Sequence, residues 1–258
     1  MFMVRPKKHL GQHFLIDKNI ARKITQCLNE NYPTVCELGP GTGVLTGFLL
    51  ERPHVSNLTL IEIDSESVEY LQANFSDPRL HILERDFLKM SMAEVSDQPF
   101  ALIGNFPYNI SSQIFFKVLE NRNRVPEVVG MIQKEVAERI AAGPGNKTYG
   151  ILSVLLQAWF DIEYCFTVPE HVFNPPPKVK SAVIKLQRNK VQQLGCEEPL
   201  FFKVVKTAFG QRRKTLRNAL KPLTGTITEQ HFLLEKRAEQ LSVADFVSLT
   251  RFVQNLEH

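Results

Sequence analysis

The four consecutive residues Asn105-Phe106-Pro107-Tyr108 combine an amide, a backbone carbonyl, a stiffened turn and an aromatic ring. That set could activate a weakly nucleophilic amine. An amine conjugated to a heteroaromatic ring, as on a nucleobase, has its lone pair delocalised into the ring. An acceptor on each of its hydrogens favours a more pyramidal nitrogen with a freer lone pair. The side-chain oxygen of Asn105 and the carbonyl of Phe106 can supply those acceptors, and Pro107 restricts the turn that aims them. Tyr108 adds an aromatic face for an extruded base. Such a site acts mainly by positioning, because the alkylated nitrogen becomes acidic and can lose its proton to water.

A second constellation lies earlier. The run Val35 to Leu38 leads into Gly39-Pro40-Gly41-Thr42-Gly43, and a helix is expected from Val44. Glycines there let the backbone approach a ligand, and the following helix start offers free amides. The loop lacks the third glycine of a dinucleotide fingerprint and the lysine of a phosphate-binding loop. Glu37 precedes the glycines, Glu62 ends the next strand in I-E-I-D, and Asp86 follows the third strand in E-R-D-F. A carboxylate at Glu62 can accept both hydroxyls of a ribose. Taken singly, each feature also reads as a tight turn or a solvated strand-end acid.

Their order resembles the first motifs of class I methyltransferases, and N-F-P-Y is similar to the N-[LIF]-P-[YF] motif of ribosomal RNA adenine dimethyltransferases. Lys8-His9-Leu10-Gly11-Gln12-His13-Phe14-Leu15 resembles the G-Q-N-F-L start of that family, with His13 where Asn is usual. Val172-Phe173-Asn174-Pro175-Pro176-Pro177-Lys178-Val179-Lys180-Ser181 resembles its F-x-P-x-P-K-V-x-S loop, and Phe209 to Asn218 (F-G-Q-R-R-K-T-L-R-N) extends the likeness into the tail. The resemblance implies S-adenosylmethionine as cofactor, held by His13, Leu15, Glu37, Gly39, Gly41, Glu62, Ile63, Asp86, Phe87 and Asn105. It places Phe173 over the base opposite Tyr108 and Lys178 and Lys180 against phosphate. It implies a substrate of two adjacent adenosines in a 3′ hairpin of small-subunit ribosomal RNA, modified during ribosome assembly. A large-subunit adenine methyltransferase, a non-catalytic assembly factor and a DNA adenine methyltransferase remain open alternatives.

The elements that must position these residues are legible as alternating β-branched runs and amphipathic stretches, the pattern of a parallel sheet flanked by helices. Strands are expected at Thr34 to Leu38, Leu58 to Ile63, Leu80 to Leu83, Phe100 to Gly104 and Val128 to Ile132, with an antiparallel edge pair at Trp159 to Val168 and Ala182 to Leu186. Asp17 should cap a helix running to about Glu30. The fold class is α/β, a Rossmann-like methyltransferase sheet with a small all-α C-terminal domain. At 258 residues and 43% hydrophobic content, the chain can bury one large core and a small second one. The expected boundaries are 1–188 for the sheet domain, 189–198 for a linker and 199–258 for a helical RNA-binding domain.

The net charge of +4 is unevenly spread. Residues 199–258 carry ten Lys/Arg against five Asp/Glu, and Lys203 to Lys221 holds seven basic residues and no acid. On one continuous helix, Lys203, Lys206, Arg213, Lys214, Arg217 and Lys221 would form a single cationic stripe, with Arg213, Lys214 and Arg217 expected to contact RNA. A second basic stretch runs from Arg5 through Lys7 and Lys8 to Lys18, Arg22 and Lys23. The four cysteines have neither disulfide-framework nor zinc spacing, and no apolar run has membrane-spanning length. A cytoplasmic, metal-free monomer is expected.

Overall fold

The computed structural model describes residues 4–256. Two compact units emerge. One runs to Ala137 and resumes over Ile162–Arg188; the other holds Glu138–Asp161 and the chain from Asn189 onward.

The first unit is built on a seven-stranded sheet. After a two-residue strand β1 (Phe14–Leu15) come helix α1 (Lys18–Gln26), β2 (Thr34–Leu38), α2 (Val44–Leu50), β3 (Asn57–Glu62), α3 (Ser65–Asn74), β4 (Leu80–Glu84), β5 (Ala101–Asn105), α4 (Ser111–Glu120) and β6 (Glu127–Gln133). The chain returns through β7 (Phe160–Val168), a short β8 (Phe173–Asn174) and β9 (Ser181–Arg188). Strand order is β4-β3-β2-β5-β6-β9-β7. β2 pairs in parallel with β3 and β5, β3 with β4, and β5 with β6, whereas β9 runs antiparallel to β6. Each expected strand is present within two residues of its expected ends. β2 is buried throughout, as suits a central parallel strand covered on both faces.

Helix α1 starts where expected. The Asp17 carboxylate accepts from the amides of Asn19 (2.8 Å) and Ile20 (3.1 Å), satisfying two donors that the helix leaves open. It ends at Gln26, short of the expected Glu30, because Arg52 takes the carbonyls of Thr25 and Leu28 and Glu127 takes the amide of Asn29.

The sheet order creates the crevice that chemistry needs. The chain builds β2-β3-β4 in one direction, then crosses to β5 on the other side of β2. Neighbouring parallel strands whose connections diverge leave a crevice at their carboxyl ends. The glycine loop leaves β2 and the Asn105 turn leaves β5, with Leu38 paired to Gly104. A Cβ on Gly104 would lie 2.3 Å from the Leu38 carbonyl oxygen, so only glycine allows this approach.

The second unit differs from the expected contiguous tail, since residues 138–161 belong to it. Helix α5 (Lys134–Ala141) contains the division, and α6 (Ile151–Gln157) lies wholly within this unit. Among the described residues its remaining α-helices are α7 (Glu198–Gly210), α8 (Leu216–Ala219), α9 (Lys221–Thr224) and α10 (Val243–Leu256). Ring contacts of Tyr149 with Phe209 (6.1 Å) and of Trp159 with Phe201 (6.0 Å) explain the assignment. Pairings this distant in sequence leave no mark in local periodicity. The last helix is capped reciprocally: Ser242 Oγ accepts from the Asp245 amide, and Asp245 accepts from the Ser242 amide.

Candidate active site

A cleft opens at the carboxyl ends of β2, β3 and β5. Its floor is the glycine loop. Gly41 and Gly43 sit at φ of +56° and +76°, a region that costs other residues roughly 1–2 kcal/mol. Space is equally restrictive: a Cβ would lie 2.8 Å from the Phe14 ring at Gly41 and 2.3 Å from the Phe75 ring at Gly43.

Glu62 closes one side. It is 4% exposed, and its carboxylate accepts from the amides of Gly41 (3.1 Å), Ile63 (2.9 Å) and Asp64 (3.0 Å). Burial raises its pKa, against the pull of those three donors. One carboxylate thus locks the glycine loop to the end of β3. Ile63 is 51% exposed and lines the cleft, as do Asp86 and Phe87. Asp86 also accepts from the Leu88 amide at 3.0 Å.

The opposite side is the turn after β5. Asn105 Nδ2 donates to the His13 carbonyl at 2.8 Å, which makes Oδ1 the acceptor end of the amide. Phe106 is anchored by its amide to the Met131 carbonyl (3.0 Å) and by a buried ring set edge-on to Phe115. The Pro107 carbonyl accepts from Ile110, closing the turn at 3.2 Å. The Tyr108 hydroxyl lies 2.6 Å from Ser181 Oγ, and its ring stacks with His13 at 5.6 Å between centroids.

The third wall comes from the N-terminal arm, where Leu10, Gly11, Gln12, His13 and Phe14 line the cleft. Asp64, whose side chain is fully buried, anchors the arm: it accepts from Lys7 Nζ and from Gln12 Nε2 (3.2 Å). Those bonds hold its carboxyl below the usual range despite the opposing effect of burial. His13 Nδ1 lies 2.8 Å from the Pro175 carbonyl, and since a carbonyl only accepts, Nδ1 carries the proton.

Of the expected residues, His13, Gly39, Gly41, Glu62, Ile63, Asp86, Phe87, Asn105, Phe106, Pro107 and Tyr108 line this one cleft. Three do not. Leu15 is 4% exposed and pairs with Phe173 across β1 and β8. Phe173 is 2% exposed and belongs to the hydrophobic core cluster. Glu37 lies buried inside the sheet and accepts from Thr46 Oγ1 at 2.7 Å. Lys178 and Lys180 are exposed on the loop before β9. Sequence reasoning misses Gln12, Phe14, Arg85 and the anchor Asp64. The G-Q pair and the Asp of I-E-I-D are their only local signals.

The cationic stripe does not form. Helix α7 ends at Gly210, a turn follows, and α8 begins at Leu216. Arg217 is bound inside its own unit, donating to Glu235 (3.0 Å) and to the carbonyls of Ile227 and Glu229. Arg212 pairs with Glu239. Acids distant in sequence thus neutralise two of the seven cations, while Arg213 and Lys214 remain exposed.

The family model for ribosomal RNA adenine dimethylases matches residues 3–255. The chain belongs to this family. As a ribosomal RNA adenine dimethylase, it has full-length relatives: "Ribosomal RNA small subunit methyltransferase A" of Parabacteroides distasonis is 58% identical over 98% of this chain and 96% of that protein. The protein of the same name from Bacteroides thetaiotaomicron is 57% identical with the same coverage. Among solved structures, a dimethyladenosine transferase from Plasmodium falciparum has the same fold, with a TM-score of 0.80 at 24% identity, covering 95% of this chain and 98% of that one. A 23S rRNA methyltransferase follows with a TM-score of 0.65 at 24% identity, covering 91% and 99%.

Proposed function

We propose that this chain uses S-adenosylmethionine to dimethylate N6 of two adjacent adenosines in a 3′ hairpin of small-subunit ribosomal RNA. The observation that carries the reading is the shared cleft: the Asn105 turn and the Gly39–Glu62 floor face one space. The residues present fit the cofactor. A Cβ on Gly41 would strike Phe14, so the loop keeps room open beside a buried carboxylate and an apolar wall at Ile63. S-adenosylmethionine supplies an electrophilic methyl group carried on a cationic sulfonium.

The chain's own residues do the rest. Glu62 and Asp86 offer carboxylates to the polar groups of a nucleoside, and Ile63 and Phe87 offer apolar surface to its ring. Asn105 Oδ1 and the Phe106 carbonyl accept from the two N6 hydrogens of the target adenine, which favours a pyramidal, nucleophilic nitrogen. Tyr108, held by Ser181 and backed by His13, gives the base an aromatic face. The arm excludes water from one side, which strengthens these dipolar contacts. No residue is required as a base, since the surplus proton on the methylated nitrogen is acidic enough for water. Exposed Lys178, Lys180, Arg213 and Lys214 meet phosphates.

The small subunit is favoured over the large because the relatives at 57–58% identity carry small-subunit names. The decisive experiment supplies labelled cofactor with undermethylated small and large subunits and maps the modified adenosines. Label in adjacent adenosines of the small-subunit RNA supports the reading; label only in large-subunit RNA contradicts it.

A further inference from the structure

The second unit carries an aromatic ring that nothing in the chemistry above uses. Phe232 is 69% exposed, the highest value among the large exposed apolar side chains of the described residues, ahead of Ile16, Ile63 and Val179. A single exposed apolar side chain is unremarkable on its own. This one is built into a pile. Its ring stacks on His231 at 5.1 Å and 22°, and His231 in turn packs on Phe252 of α10 at 4.6 Å. The imidazole is fixed because its Nδ1 accepts from the Leu233 amide at 3.3 Å. Phe232 therefore projects as a supported ring, and a partner stacking on it loses little rotamer freedom.

The surroundings set the partner's chemistry. Lys236 Nζ lies 5.6 Å from the ring centroid, and exposed Arg237 follows it. The one acid in the turn, Glu235, is paired with Arg217. The Lys236 carbonyl accepts from the Leu216 amide, which joins this turn to the segment bearing exposed Arg213 and Lys214. A supported aromatic face among cations is the arrangement by which proteins hold unpaired nucleotides: the ring takes the base, the cations take the backbone.

We propose that Phe232 is a stacking platform for an unpaired base of the RNA substrate, outside the methyl-transfer cleft. The inference rests on RNA being the substrate. The test compares full-length wild-type, Phe232→Ala, Phe232→Leu and Phe232→Trp proteins. Binding to protein-free small-subunit RNA and to intact undermethylated small subunits is measured across a salt series. Phe232→Ala and Phe232→Leu should each weaken binding to protein-free RNA about five-fold or more, and Phe232→Trp should retain it. The salt slope should stay at the wild-type value in all three, since stacking releases no counterions. The thermal midpoint should hold, because the ring is mostly in solvent. Full affinity in Phe232→Ala overturns the proposal, as does full affinity in Phe232→Leu. A loss confined to intact subunits also overturns it, by pointing to a ribosomal protein as the contact. Failure of the wild-type protein to bind RNA at all would instead sink the underlying reading.

Discussion

Asn105 Nδ2 donates to the backbone carbonyl of His13 across 2.8 Å, joining the turn after β5 to the N-terminal arm. This bond ties the Nδ2 end of the amide to the arm, and it makes the arm part of the site. The arm is secured a second time at Asp64, where Lys7 and Gln12 converge on one buried carboxylate. Under the proposed function, cofactor binding and amine activation would therefore share a support.

Loosening that support should weaken cofactor binding before it unfolds the protein. Asp64→Asn leaves Lys7 with Glu66 at 3.3 Å but removes the charge at the anchor. The expected loss is about 1–2 kcal/mol in cofactor affinity, or roughly ten-fold, with a smaller fall in stability. Calorimetric titration with S-adenosylmethionine, paired with a thermal melt, separates the two. An unchanged dissociation constant would show that the arm does not support the cofactor.

The two loop glycines should fail differently. Alanine at Gly43 meets Phe75 and Leu71 of the core, whereas alanine at Gly41 meets Phe14 of the arm. Gly43→Ala should mainly destabilise, by about 2 kcal/mol or more, while Gly41→Ala should mainly reduce cofactor affinity. Denaturant melts and cofactor titrations of both variants check the contrast; equal behaviour would refute it.

Glu37 gives a pH signature. Burial pushes its carboxyl up to about 8 in the folded protein, from an ordinary value of 4.5. Between those values the folded state holds a proton that the unfolded chain has released. Stability should therefore fall as pH rises through this window, by at most about 1.4 kcal/mol per pH unit, and level off above it. Glu37→Gln keeps an oxygen for Thr46 and carries no titrating proton, so urea midpoints should show a shallower decline in the variant. An identical slope would place the pH dependence elsewhere.

In the basic segment, exposure separates recognition from structure. Reversing Arg213 and Lys214 to Glu should weaken RNA binding and lower the salt slope by about 0.7 for each single-stranded phosphate no longer neutralised, with cofactor affinity untouched. Arg217→Ala removes three bonds within the unit and should lower stability by about 1–2 kcal/mol. Electrophoretic RNA titrations and thermal melts distinguish these outcomes, and a wild-type melt for Arg217→Ala would contradict the assignment.

Much of the sheet and most of the cleft are legible in the sequence, for local reasons. β-branched runs mark buried parallel strands, and glycines mark the loop where a positive φ is required, so Gly41, Glu62 and Asn105 can be placed in order along the chain. What escapes depends on pairings distant in sequence. Phe173 reads as an accessible loop residue until β8 pairs with β1 and draws its ring into the core. Arg217 reads as a free cation until Glu235 reaches it. Residues 138–161 read as part of the sheet domain until Tyr149 and Trp159 find Phe209 and Phe201. Asp64 is visible but silent, because nothing local shows that Lys7 and Gln12 meet there.

The most direct test of the central claim is a single-turnover methyl-transfer rate for Asn105→Ala on undermethylated small subunits, with cofactor and RNA affinities measured on the same preparation. The expected rate is about 100-fold or more below wild type, with RNA affinity retained and cofactor affinity reduced no more than about ten-fold. A rate within a few-fold of wild type would mean that the turn after β5 does not grip the amine.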